Sequence, residues 1–199
     1  MSPFIETIRI QGGKLQNLSC HQARFNRARE EILGLKEHPL LQKVIPVPGG
    51  LEEGIFKCRV LYGKDIDRIE YEPHLPLQVR SLQVVTSDTI SYSHKFSNRS
   101  ALTDLYEKRG ECDDILIVRN GCITDSYYAN VVLWNGNSWV TPDTPLLPGT
   151  MCAGLLDSGK IKESRITLYD LGNYFKIRLI NALNSLDESP DISMRSVFL

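Results

Sequence analysis

Apolar and polar positions follow strand-like and helix-like periods in turn along this chain. Residues 4–10 alternate apolar and polar side chains, as a half-buried strand does, and residues 14–18 predict its hairpin partner after a glycine pair. From His21 to Leu35 the apolar positions recur with a helical period. Ser19 is the predicted N-cap of this helix, with Gln22 as its capping-box partner.

The rest of the chain predicts more strands than helices. Strands are expected at residues 54–60, 67–72, 82–86, 115–118, 129–134, 139–141 and 161–167. Helices are expected at residues 99–109 and from the Leu147-Pro148-Gly149-Thr150 turn through Leu156. Strands interrupted by helices, without an internal repeat, favour an α+β fold over a regular βαβ series.

A short polar segment separates two parts of the pattern. We therefore predict a small α+β domain at residues 1–86, an interdomain loop at residues 87–93 and a larger α+β domain at residues 94–199.

Composition excludes several function classes. The net charge of −1 over 199 residues gives no electrostatic basis for binding nucleic acid or an anionic membrane. No apolar run reaches the length of a membrane span, and the N-terminus lacks the pattern of a signal peptide. The five cysteines show no metal-like spacing, so we expect no metal site and reduced thiols in the cytoplasm.

The candidate chemistry begins at Lys95. About thirty residues later, after an Asn120-Gly121 turn, the chain carries Asp125 and Asn130 five positions apart. A lysine followed by a strand-borne acid suggests pyridoxal 5'-phosphate (PLP) chemistry. The lysine amine binds the cofactor aldehyde, and the acid holds the protonated ring nitrogen.

Six landmarks in order carry a resemblance over nearly the whole chain. They are Phe4-Ile5-Glu6-Thr7-Ile8-Arg9, His21-Gln22-Ala23-Arg24, Lys95, the Thr124-Asp125 to Asn130 segment, Thr141-Pro142 and Leu147-Pro148-Gly149-Thr150. Together they resemble the fold-type IV PLP enzymes. That family contains the branched-chain and D-amino acid aminotransferases and 4-amino-4-deoxychorismate lyase, and it implies a homodimer acting on a small-molecule amine.

The resemblance also implies residue roles. Lys95 is the catalytic lysine, Arg24 binds the cofactor phosphate, and Asp125 pairs with the ring nitrogen. Asn130 fixes either this acid or the backbone nearby. The remaining implied contacts are Gly149, Thr150, Met151 and Asn181 for the cofactor, and Thr7, Lys57 and Arg68 for the substrate. Each has a purely structural alternative, such as a surface lysine, a turn aspartate, a plain helix start or a capping amide.

The sequence departs from the family pattern in three places. An additional N-terminal segment is expected to be absent, Asp125 stands where the family usually has glutamate, and Cys152 replaces a common arginine. The Asn181-Ala182-Leu183 segment resembles the lyase, whereas aminotransferases usually show a Gly-Thr pair there. We therefore expect the lyase activity, with a class IV aminotransferase and a cofactor-binding member without turnover as open alternatives.

Overall fold

The structure, a computed structural model, describes residues 4–76 and 78–199 and divides into two compact units. The first unit comprises residues 4–76 and 94–98, and the second comprises residues 78–93 and 99–199. Both units combine antiparallel or mixed sheets with a few helices. The predicted α+β architecture is confirmed.

The two units differ from the predicted domain ranges at residues 78–86 and 94–98, and the predicted interdomain loop at residues 87–93 is part of the second unit. The sequence predicts residues 82–86 in the first domain, but this strand pairs in parallel with residues 114–118 of the second unit. Residues 94–98 belong to the first unit, where Phe96 forms a bridge with Phe4 and the Ile5 N–H donates to the Lys95 carbonyl at 2.9 Å. Strand pairing across long sequence separations therefore sets the boundaries.

The first unit is a four-stranded antiparallel sheet with a long helix. Its elements are β1 (Phe4–Gln11), β2 (Lys14–Leu15), α1 (Leu18–Leu33), α2 (Leu41–Val44), β3 (Ile55–Tyr62) and β4 (Ile66–Pro73). The sheet order is β2-β1-β3-β4. Strand alternation directs Phe4, Ile8 and Ile10 to one face, where they pack with Phe25 and Ala28 of α1.

Helix α1 forms because its buried side chains recur with the helical period. These are His21, Arg24, Phe25, Ala28 and Arg29. The helix ends at Gly34, whose φ of 67° lies in the left-handed region that a side chain disfavours. The predicted Ser19 cap with its Gln22 partner is wrong. The N-cap is Asn17, also left-handed at φ 50°, and its side chain makes no capping hydrogen bond.

The second unit contains two mixed sheets. Its strands are β5 (Leu82–Thr86), β6 (Asp114–Arg119), β7 (Cys122–Ile123), β8 (Asn130–Trp134), β9 (Trp139–Pro142), β10 (Lys162–Ser164), β11 (Lys176–Ile180), β12 (Ile192–Ser193) and β13 (Val197–Phe198). One sheet has the order β10-β9-β8-β11-β12 and the other β13-β5-β6-β7. Both sheets contribute to one core, with Leu116 and Val118 from β6, Val131 and Leu133 from β8, and Ile177 from β11.

Two helices complete the second unit, α3 (Ser100–Tyr106) and α4 (Thr150–Asp157). The helix predicted at residues 99–109 tightens into a 3-10 turn at Glu107–Arg109. The strand predicted at residues 161–167 is shorter, at Lys162–Ser164. The hairpin partner predicted at residues 14–18 is only two residues long, because α1 begins at Leu18. No helix within residues 4–76 and 78–199 has the length and apolar content that crossing a bilayer requires.

Candidate active site

Three polar side chains meet inside the first unit. The alternation of β1 places Glu6 on the apolar face, between Phe4 and Ile8. His21 and Arg24, three residues apart on α1, both reach it. Arg24 donates from Nε to Glu6 Oε1 at 2.9 Å and from Nη2 to Oε2 at 2.6 Å. His21 Nδ1 lies 2.6 Å from the same Oε2. The carboxylate therefore holds the guanidinium by two parallel hydrogen bonds.

Burial and charge act in opposite directions on this cluster. Burial by itself raises the pKa of Glu6, but the Arg24 charge and the hydrogen bonds from His21 and Arg24 outweigh burial and lower that pKa to about 2. Burial lowers the pKa of His21, the Glu6 contact opposes this, and the charges of Arg24 and Lys95 lower it further. His21 is therefore neutral at pH 7 and donates Nδ1–H to an ionised Glu6.

Lys95 belongs to the same unit as Arg24. Its backbone is fixed beside β1 by the Ile5 N–H, and its side chain is half-buried. The positive charge of Lys95 lowers the pKa of His21, which is also in contact with Glu6. The charges of the predicted lysine and of the predicted phosphate-binding arginine thus both lower the pKa of one histidine.

The predicted substrate residues lie on the other face of this sheet. The register places Thr7 opposite Arg59, and strand alternation directs both away from the Glu6 face. Lys57 and Arg68 are on the same face as Thr7 by their register with β1 and β4. Lys57 forms an ion pair with Glu72, and Arg68 forms one with Glu70 at 3.0 Å. These exposed pairs do not join the Arg24 cluster.

The second unit places Asp125 and Asn130 in direct contact. The two residues form an isolated antiparallel bridge, and Asn130 Nδ2 donates to Asp125 Oδ1 at 2.8 Å. The same Nδ2 donates to the Leu147 carbonyl at 2.9 Å, while the Leu147 N–H donates to Asp125 Oδ2 at 3.0 Å. One oxygen of a buried carboxylate is therefore oriented by the Asn130 amide and the other by the loop that precedes α4.

Burial dominates the acidity of Asp125. It raises the pKa of this carboxyl to about 6, although the hydrogen bonds from Leu147 and Asn130 favour the ionised form. A cation placed against the carboxylate would lower this pKa again, because opposite charges stabilise each other strongly in a buried site. A buried carboxylate of this kind is a candidate partner for a bound cation, and the predicted contact of Asp125 with a ring nitrogen stays a prediction.

Gly149 is the N-cap of α4 and packs against Asn130. A Cβ built at Gly149 would stand 1.8 Å from Asn130 Oδ1, a separation that real Cβ atoms do not show. The asparagine amide thus fills the space that any side chain at this position would need. Asp125, Asn130 and Gly149 form one packed group, which we call the acid cluster.

The remaining predicted cofactor residues lie in α4 and after β11. Thr150 is buried in the first turn of α4 and Met151 is half-buried beside it. Asn181 follows β11, where Ile180 pairs with Asn130. Its Oδ1 accepts from the Leu183 N–H at 2.9 Å, together with the next N–H in the chain. The Asn181 side chain therefore caps a turn, and its role toward a cofactor stays a prediction.

Sequence reasoning missed Glu6, and it also missed Arg99, which contacts the loop that follows Asp125. Glu6 could have been found as a lone acid on the apolar face of an alternating strand. Arg99 packs its guanidinium over the rings of Tyr127 and Tyr128, 4.7 and 4.2 Å from their centroids, and donates from Nη2 to the Tyr127 carbonyl. It thereby braces the loop between Asp125 and β8, a contact with no sequence signal.

Known proteins resemble this chain over almost its entire length. An uncharacterized protein of Haemophilus influenzae is 39% identical over 188 residues, which cover 94% of this chain and all of that protein. A crystal structure of a proposed 4-amino-4-deoxychorismate lyase from Haemophilus somnus has a TM-score of 0.87 and 37% identity, covering 94% of this chain and 98% of its own.

A second solved structure is that of a proposed amino-acid aminotransferase from Mesorhizobium loti. It has a TM-score of 0.80 and 25% identity, with 97% of this chain and 99% of its own covered. The family model for amino-transferase class IV matches residues 4–186, which include every predicted site residue. The resemblance carried by the sequence landmarks is confirmed, and the chain belongs to the class IV aminotransferase family.

Proposed function

We propose that this chain is a PLP-dependent lyase that converts 4-amino-4-deoxychorismate into 4-aminobenzoate and pyruvate, a step of folate precursor synthesis. The main support for this proposal is the similarity to the proposed Haemophilus somnus lyase, at 37% identity over nearly the whole of both chains. Membership of the class IV family makes the chain a PLP-dependent enzyme. The Asn181-Ala182-Leu183 segment supports the lyase within that family.

The donor groups fit PLP. The cofactor carries a phosphate, an aldehyde and a ring nitrogen. Arg24 offers a buried guanidinium held in a fixed plane, and Lys95 offers a primary amine in the same unit. Asp125 offers a buried carboxylate whose raised pKa a bound cation would lower. When bound, PLP supplies an electrophilic carbon and an electron-accepting ring.

Each of these residues has a separate role in the proposed reaction. Arg24 would bind the phosphate of the bound cofactor, with the Thr150 hydroxyl as a further donor. Lys95 would hold the aldehyde carbon until the substrate amine displaces it, and its freed amine would then accept the proton from the amine-bearing carbon of the substrate. Asp125, oriented by Asn130, would keep the ring nitrogen protonated, because a cationic ring stabilises the negative charge left by that proton. Loss of the enolpyruvyl group as pyruvate leaves an aromatic ring, which favours the reaction.

Aminotransferase activity is the second candidate. The 25% identity to the proposed Mesorhizobium loti amino-acid aminotransferase favours it, over almost the whole of both chains. Its first proton transfer is the same. It differs because Lys95 would return the proton without loss of the enolpyruvyl group, and a keto acid would be required to complete the amino transfer.

One set of assays separates these activities. Purified PLP-loaded protein is supplied with 4-amino-4-deoxychorismate, and pyruvate is measured. Parallel reactions measure amino transfer from leucine, glutamate and D-alanine. We expect pyruvate release by the wild type and by Lys43→Ala, an exposed lysine of the same unit, but not by Lys95→Ala. Amino transfer without pyruvate release would show that the lyase proposal is wrong and support the aminotransferase.

The proposal includes a cytoplasmic homodimer. Its support is the family resemblance and the five cysteines, which are all free thiols and so suit a reducing compartment. Light scattering on the PLP-loaded protein should give twice the 22.5 kDa mass of the chain. A monomer mass at micromolar concentration would contradict the dimer.

A further inference from the structure

Glu6 has no role assigned by the sequence landmarks, although it is the most buried charged residue of the first unit. We propose that Glu6 is a positioning residue that fixes the Arg24 guanidinium for binding the cofactor phosphate, with His21 holding the carboxylate in place. This inference rests on the proposed PLP chemistry and deepens it. It adds a residue that acts through Arg24 without contacting the cofactor.

The first support is the geometry of the contact between Arg24 and Glu6. Arg24 contacts Glu6 through Nε at 2.9 Å and through Nη2 at 2.6 Å, so one carboxylate engages one whole edge of the guanidinium. Two parallel bonds fix the plane of the group as well as its distance. The opposite edge, which carries Nη1, is directed away from Glu6. A phosphate that binds this arginine meets a group whose orientation is set before binding, which lowers the entropy cost of association.

The second support is the balance of charge. Arg24 is 8% exposed, and a buried cation without a counter-ion is strongly destabilised. Glu6 supplies the counter-ion, and the depressed pKa of its carboxyl keeps it ionised throughout the neutral range. The groups acting on Glu6 are Arg24 and His21, and His21 is neutral. The cluster is therefore neutral overall, with the Lys95 charge nearby to favour an incoming phosphate dianion.

The third support is the role of His21. Its Nδ1–H donates to Glu6 Oε2, the oxygen that also receives Arg24 Nη2. The histidine side chain is buried, with 0% relative exposure. A donor to this oxygen resists rotation of the carboxylate about its last bond. The His-x-x-Arg spacing on α1 thus places His21 and Arg24 on one side of Glu6.

The test compares PLP with pyridoxal, which has the same ring and aldehyde but no phosphate. Dissociation constants for both are measured by absorbance titration of wild type, Glu6→Gln and Glu31→Gln. We expect Glu6→Gln to weaken PLP binding roughly 10- to 100-fold, the range for a lost hydrogen bond to a charged group, with little change for pyridoxal. Glu31 is the control, because it contacts His94 at 2.9 Å but is exposed.

Each outcome decides the inference. An unchanged ratio of PLP to pyridoxal affinity in folded Glu6→Gln would overturn it, because a purely structural acid would weaken both ligands alike. In the Arg24→Gln background, Glu6→Gln should cause no further loss of PLP preference, and a further loss would also overturn it. If Glu6→Gln does not fold, Glu6→Asp replaces it, since the charge is kept and the carboxylate is withdrawn by one methylene.

Failure of the proposed function gives a different result. If the wild type binds PLP no better than pyridoxal, the phosphate-binding role of Arg24 fails together with the cofactor proposal. If the wild type prefers PLP and Glu6→Gln keeps that preference in full, only the positioning role of Glu6 fails. The ratio of PLP affinity to pyridoxal affinity in the wild type therefore distinguishes failure of the proposed function from failure of the positioning role of Glu6.

Discussion

Gly149→Ala tests whether the acid cluster depends on close packing. The backbone at Gly149 has φ −80° and ψ 145°, which alanine adopts without strain, so the cost comes from contact alone. The new Cβ would stand 1.8 Å from Asn130 Oδ1, whereas real Cβ contacts do not fall below 3.0 Å. The asparagine oxygen or the start of α4 must therefore retreat by more than about 1 Å.

Such a retreat breaks the hydrogen bonds that orient Asp125. Asn130 Nδ2 makes two, at 2.8 Å to Asp125 Oδ1 and at 2.9 Å to the Leu147 carbonyl. One lost bond to a charged group and one to a neutral carbonyl together cost about 2–4 kcal/mol. We expect urea denaturation of Gly149→Ala to show a loss of that size in the free energy of unfolding, together with weaker PLP binding.

The matched control is Gly172→Ala, which changes another glycine of the second unit with nothing within 4 Å of its Cβ. Its effect should stay within about 1 kcal/mol. In Asn130→Ala the obstructing oxygen is gone, so adding Gly149→Ala should cost almost nothing more. A Gly149→Ala protein as stable as wild type, or strictly additive losses in the double variant, would refute the packing argument.

Three further predictions concern charge and stacking. Because burial raises the pKa of Asp125 from 3.8 to about 6, the folded cofactor-free protein binds its proton more readily than the unfolded chain. Its unfolding free energy should rise by up to about 3 kcal/mol as pH falls from 7 to 4, and Asp125→Asn should reduce this rise in urea titrations. The contribution of Glu6 to stability changes with pH in the opposite direction, because folding lowers its pKa from 4.5 to about 2. Its contribution of about 3 kcal/mol should be lost as pH falls from 4.5 to 2, and a Glu6→Gln protein with the same acid-induced loss would contradict this. Arg99→Lys keeps the charge but loses planar packing on Tyr127 and Tyr128, and should lower unfolding free energy by about 1–2 kcal/mol; unchanged stability would count against the stacking.

Local periodicity located most elements, because strand and helix patterns depend on neighbouring residues. The alternation in β1 and the helical period in α1 are readable without knowing their partners. The strand predicted at residues 82–86 agrees with β5 at both ends. Its assignment to the first domain could not be read locally, since the parallel pairing with β6 joins residues about thirty positions apart.

The N-cap of α1 shows where a local rule fails. Ser19 with Gln22 has the sequence of a capping box, yet the N-cap lies two residues earlier, at a left-handed Asn17. β2 ends at Leu15 and α1 begins at Leu18, so only two residues connect them, and asparagine tolerates the positive φ that this connection adopts. The short connection between packed elements therefore outweighed capping propensity.

The sequence by itself determined the α+β pattern, the family resemblance and the residue types that suit PLP, since these follow from order and spacing along one chain. Only the tertiary structure decided that Glu6 clamps Arg24, that the Asn130 amide occupies the space beside Gly149, and that Thr7, Lys57 and Arg68 lie on the other sheet face. Those contacts depend on strand register and helix packing. Burial then makes these contacts important for stability. Polar and charged groups removed from water must form hydrogen bonds or ion pairs, and only the fold supplies their partners.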